Sequence, residues 1–89
     1  MKQILAIEQT ASLPAGTVHL RYRLLAETKH AGEAHYSAAA EIPETGEWSA
    51  VLDLTTNRTM ALEFLRRISQ GAVTPVTLVE VAEDFVAEI

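Results

Sequence analysis

Glu8 and Tyr22 are the two residues whose types and placement offer chemistry in this 89-residue chain. If strands at about 3–10 and 17–29 pair so that Leu13 meets Thr17, Glu8 stands opposite Tyr22 on an apolar sheet face. Burial there raises the pKa of a carboxyl group, and perturbed acids cluster at functional sites. The pair would then serve a small-ligand pocket between sheet and helices. The plainer expectation is a glutamate at the sheet rim, in water or hydrogen-bonded to Tyr22. No second catalytic group stands beside the pair, so no catalytic residue is assigned.

The other reactive types disperse. A metal needs several ligands converging at about 2 Å. His19 and His35 are expected far apart on the polar sheet face, and His30 in a loop. Glu80, Glu83, Asp84 and Glu88 share a helix face at spacings of three and four. A weak divalent-cation site would use such a face, but a solvated surface is the commoner arrangement. Arg66 with Arg67, or Arg21 and Arg23 with His19, would hold an anion or an acidic partner. Arg21 already has Glu41 as a cross-strand counter-ion. Ser12, Ser37, Ser49 and Ser69 lack a nucleophile-elbow context, and no glycine-rich phosphate loop occurs. The chain has no cysteine, hence no thiolate ligand or disulfide. Neither metal nor cofactor is expected.

Composition bounds the partners. Hydrophobic residues make up 48% of the chain, enough for one packed domain. The formal charge is −5. Residues 1–52 carry four Lys/Arg against six Glu, and residues 53–89 three Arg against six Asp/Glu. An acidic balance in both parts argues against nucleic acid and anionic membrane surfaces. The apolar run after Met1-Lys2 is cut by Glu8, which argues against a secretory signal. No stretch approaches the roughly 18 apolar residues of a membrane span. A cytoplasmic protein is the expectation.

The elements that must position these residues are marked by turn and cap signals. Pro14-Ala15-Gly16, His30-Ala31-Gly32 and Glu44-Thr45-Gly46 each end in Gly between two β-like runs. Three-residue hairpin loops favour Gly at the position with positive φ. Four strands follow, at about 3–10, 17–29, 33–43 and 47–54, in an antiparallel meander. Loops of three pair Leu13 with Thr17, Lys29 with Glu33 and Pro43 with Glu47. One face then reads Ile4–Ala26–Tyr36–Leu54, Ala6–Leu24–Ala38–Leu52, Glu8–Tyr22–Ala40–Ala50 and Thr10–Leu20–Ile42–Trp48. It is apolar apart from Glu8, whose misfit would also be explained by a first strand offset by one residue.

Two helices complete the chain. Thr55, Thr56 and Asn57 are N-cap types, and Asn57, Met60, Ala61, Phe64, Leu65 and Ile68 repeat at helical spacing up to a stop at Gly71. Residues 72–76 read as extended before Pro75. Thr77-Leu78-Val79-Glu80 has the form of a capping box, and Leu78, Val81, Ala82, Phe85, Val86 and Ile89 make the next apolar stripe. The expected fold is α+β: a four-stranded antiparallel meander with two C-terminal helices on one face, a ββββαα two-layer sandwich in one domain over 1–89.

On the opposite sheet face this register gathers Leu5, Ile7, Leu25, Arg23, Ala39 and Val51. An apolar patch where water is expected marks an interaction surface. The expected function is therefore a non-catalytic protein–protein interaction module, a homodimer through that face or a binder of another protein. The alternatives are a ligand-binding protein or enzyme using Glu8 and Tyr22, and a peptide binder by strand addition at a sheet edge.

Asp53-Leu54-Thr55-Thr56-Asn57, Val73-Thr74-Pro75-Val76-Thr77-Leu78 and Val81-Ala82-Glu83-Asp84-Phe85 resemble the C-terminal part of a small uncharacterised bacterial family, a domain of unknown function. Arg21-Tyr22-Arg23-Leu24 resembles its second strand, and the likeness is strongest over residues 53–86. The resemblance implies a short bacterial cytoplasmic protein and transfers no catalytic residue.

Overall fold

The computed structural model describes residues 1–29 and 32–88. Strands β1 (Lys2–Leu13), β2 (Gly16–Thr28), β3 (Ala34–Ile42) and β4 (Glu47–Thr55) precede helices α1 (Arg58–Gln70) and α2 (Leu78–Glu88). The strands form one antiparallel sheet in the order β1-β2-β3-β4, so β1 and β4 are its edges. Both helices pack on one face, which gives the expected α+β sandwich. The loop residues His30 and Ala31, and Ile89 of the second apolar stripe, lie outside the described residues.

The central pairing follows the side-chain pattern. Arg21 pairs with Glu41, Arg23 with Ala39 and Leu25 with Ser37, as loop length had implied. Leu20, Tyr22 and Leu24 alternate with these polar residues, and Tyr36, Ala38, Ala40 and Ile42 line up beside them. All seven are buried against Ala61, Phe64, Leu65 and Ile68 of α1 and Leu78, Ala82 and Phe85 of α2. The alanines in the middle of β3 let α1 approach the sheet closely.

The outer strands take a different register. Leu13 pairs with Gly16, not Thr17, because Pro14-Ala15 alone makes the turn and Gly16, at φ 128°, is already strand. This one-residue shift turns β1 over. Glu8 moves to the open face opposite Arg21, and Ile7 takes the place beside Tyr22. Ile4, set in a bulge between Gln3 and Leu5, packs on the core as well.

The last hairpin shifts in the same manner. Ile42 pairs with Glu47, because four residues, Pro43 to Gly46, form the loop. Thr45 and Gly46 both donate their N–H to the Ile42 carbonyl, and Gly46 supplies the φ of 77° that returns the chain. Val51 therefore faces the helices opposite Ala38, whereas Trp48 faces out opposite Glu41. Trp48 and Leu52, both expected in the core, are 71% and 63% exposed. A second bulge follows: residues 52–54 oppose Ser37 alone, and Asp53 adopts φ 52° there. The Asp53 N–H donates to the buried Ser37 hydroxyl at 3.0 Å.

The helices start and stop by side-chain chemistry. Asn57 Oδ1 accepts the Met60 N–H at 3.0 Å, the expected N-cap. α1 stops at Gly71, but Gly71 has φ −83° and the left-handed residue is Ala72, at φ 48°. Val73 and Ala72 donate to the carbonyls of Ile68 and Ser69, the two bonds of a Schellman motif. The capping box at Thr77 does not form. A single 3₁₀ turn, Pro75–Thr77, leads into α2, and the Thr77 hydroxyl bonds back to the Thr74 carbonyl. Pro75 at the first position of that turn needs no N–H partner.

Candidate functional site

The open sheet face is held by charge. Its central rows are Glu8–Arg21–Glu41–Trp48 and Ala6–Arg23–Ala39–Ala50. Arg21 donates through Nε to Glu8 at 3.1 Å and through Nη1 to Glu41 at 3.0 Å, and Arg23 reaches the same Glu41 oxygen at 2.9 Å. Glu8, then Glu41, hold the Arg21 guanidinium pKa above its ordinary value. These groups satisfy one another and leave no unpaired buried charge.

Of the six residues expected to form an apolar patch on this face, Leu25, Arg23 and Ala39 do lie on it. Leu5 and Ile7 turn to the helix side, paired with Leu24 and Tyr22, and Val51 turns with them. The patch is therefore halved, for the same reason that frees Glu8: both hairpin loops differ by one residue from the assumed three. Glu8 and Tyr22 lie on opposite faces and share no pocket. Tyr22 is fully buried, donates its hydroxyl to the Val73 carbonyl at 2.8 Å, and has its pKa pushed up to about 12 by burial.

Among the described residues, no three His, Cys, Asp or Glu side chains converge as metal ligands would. His19 is engaged by Glu44, whose carboxylate accepts the His19 N–H at 3.1 Å and lies 2.5 Å from Nδ1. This bond to His19 holds Glu44 below the usual carboxylate range. His35 is 3.9 Å from Asp53, and Lys29 binds that Asp at 2.7 Å, depressing its pKa. On the helices, Glu63 takes the guanidinium of Arg66 and Nε of Arg67, and Arg66 above all holds its carboxyl at about 2. Arg67 also reaches Glu88 at 2.8 Å and stacks 5.2 Å from the Phe85 ring. The arginines expected to attract an anion, and one of the four α2 carboxylates, are thus spent on ion pairs.

What remains open is the β4 edge. Trp48, Leu52, Val76, Val79 and Val86 are 71%, 63%, 80%, 45% and 46% exposed, and all five border this edge. A shallow recess of about 440 Å³ lies between Val51, Leu52 and Leu54 of β4 and Val79, Glu83 and Val86 of α2. A smaller one, about 330 Å³, joins Glu47, Trp48 and Ser49 to Pro75 and Val76. Among the described residues, β4 makes no backbone–backbone hydrogen bond to any element but β3, and of its first five N–H groups Glu47 alone is taken by a side chain, the Thr45 hydroxyl at 3.2 Å. An edge strand with a free N–H and C=O row, flanked by apolar side chains, can pair with another extended segment. Sequence reasoning offered strand addition at a sheet edge as an alternative but missed the apolar side chains that flank this one, because it placed Trp48, Leu52 and Val86 in the core. One signal was available: Val79 belongs to neither stripe of α2.

Among the described residues, no helix is long and apolar enough to cross a membrane. No curated protein and no solved structure matches this chain at a significant level. A family model does match, over residues 1–88, and the chain belongs to that family, a family of unknown function designated DUF6514.

Proposed function

We propose that this protein is a non-catalytic protein–protein interaction module that receives an extended segment of another chain along the β4 edge. The observation that carries the reading is the concentration of exposed apolar side chains there: five of the large ones border a single edge strand. Residues Glu47 to Val51 precede the bulge, so the pairable row is about 17 Å long, enough for one short added strand. Backbone pairing supplies affinity in this mode, and the flanking side chains supply selectivity. The sequence resemblance over residues 53–86 supports a bacterial, cytoplasmic setting. The sheet-to-sheet homodimer is less favoured than edge pairing, because packing the open face would strip water from the Glu8–Arg21–Glu41–Arg23 cluster.

Site-directed photocrosslinking in cells tests the reading. A photoreactive phenylalanine analogue in place of Val76, 80% exposed at the edge, should give discrete adducts. The same analogue in place of Arg23, on the open face, should give none. Adducts from position 23 alone would assign the working surface to the open face instead.

A further inference from the structure

We infer that the segment received along β4 is apolar with lysine or arginine at its flanks, contributed by a different protein and not by a second copy of this chain; this rests on the edge-pairing reading above. The charged side chains that line the two recesses are all acidic. Glu47 borders one recess, and Asp53 and Glu83 border the other, and no basic side chain lines either. Asp53 is answered by Lys29, but Glu47 and Glu83 make no ion pair among the described residues. Acidic groups at both ends of an apolar row select basic groups at both ends of the occupant.

Self-pairing fails by the same geometry. The bulge confines pairing to Glu47–Val51, so two β4 strands would meet antiparallel about Ser49, which sets Glu47 of each copy against Val51 of the other, beside the Glu83 that lines the same recess. Like charges brought together across a strand pair destabilise it. The net charge of −5 adds long-range repulsion between copies.

Three labelled synthetic peptides test the inference on the full chain by fluorescence anisotropy. One alternates valine and threonine between paired lysines. The second has glutamates in place of the lysines. The third keeps the lysines but replaces alternate threonines with proline, so it carries the charge and cannot pair. The first should bind about tenfold tighter than either other at low salt, and the gap should narrow at high salt. The double variant Glu47→Lys/Glu83→Lys should reverse the preference to the glutamate-flanked peptide. Amide hydrogen exchange should show new protection in β4 on binding. If the first two peptides bind equally, with β4 protected, the basic-flank inference falls and edge pairing stands. If the proline peptide binds as well as the first, or no peptide protects β4, edge pairing falls and takes the inference with it. A dimer of the chain alone that Val79→Lys dissolves would also overturn it.

Discussion

Tyr22 shows how a residue chosen for chemistry turns out to be doing structural service. Its ring is fully buried at the middle of the sheet, and its hydroxyl crosses to the connection between the helices, donating to the Val73 carbonyl at 2.8 Å. Removing that hydroxyl leaves a carbonyl without its partner, so Tyr22→Phe should cost about 1–2 kcal/mol. The alkaline response follows from the same burial. The phenol titrates at about 12 in the folded chain against an ordinary value of 10.0. A folded pKa above the unfolded one means that the native state holds the proton more tightly. Tyr22 therefore contributes its full stability below pH 10, and that contribution is lost as pH rises from 10 toward 12. Two pKa units correspond to about 2–3 kcal/mol at the limit. Denaturant unfolding at mildly and strongly alkaline pH, on the wild type and Tyr22→Phe, checks this. The variant should lose much less stability across the window than the wild type. Equal alkaline sensitivity in both would show that Tyr22 is not sealed from water.

At the scale of elements, the two helix starts differ, and substitution should expose the difference. Asn57 caps α1 with a side-chain bond to the Met60 N–H, so Asn57→Ala should destabilise by about 1 kcal/mol. The Thr77 hydroxyl makes only local bonds, to the Thr74 carbonyl at 3.2 Å and with the Thr74 hydroxyl at 3.3 Å, and Glu80 does not reach back to it. Thr77→Ala should therefore stay within about 0.5 kcal/mol. Equal losses in paired urea titrations would mean that the capping box exists after all. The helices and the β2–β3 pair were legible in the sequence because their patterns admit one reading: Arg21 and Arg23 alternate with Leu20, Tyr22 and Leu24, and Phe64, Leu65 and Ile68 repeat on one helix face. The outer strands were not. Ile4 and Ala6 are as apolar as Leu5 and Ile7, and Ala50 and Leu52 as apolar as Val51, so either register of β1 or β4 satisfies a hydrophobic face. The deciding information sat in loop length, and a Gly in third place fits a two-residue turn, a three-residue loop or the end of a four-residue loop equally well. Glu8 was the one side chain that betrayed the slip.

At the scale of the molecule, the sheet has two edges and protects them differently. β1 is long and carries its bulge near one end, at Ile4. β4 is shorter, and its bulge at residues 52–54 limits any added pairing to Glu47–Val51. Bulges and charges are the usual devices that keep an edge from pairing with copies of itself. Around this apolar stretch the charges are Glu47 and Glu83, whose side chains the fold does not otherwise use for ion pairing among the described residues. Their removal should therefore leave folding intact while releasing self-association. The double variant Glu47→Val/Glu83→Val replaces two surface carboxylates, so its unfolding free energy should stay within about 1 kcal/mol of the wild type. Its light scattering should nonetheless rise with concentration, and thioflavin binding should report strand pairing between copies. Adding Leu52→Lys should restore the monomer by returning a charge to the same edge. If the double variant stays monomeric, the bulge alone guards β4. If it associates and Leu52→Lys does not reverse this, the copies meet elsewhere, and β1 becomes the edge to examine.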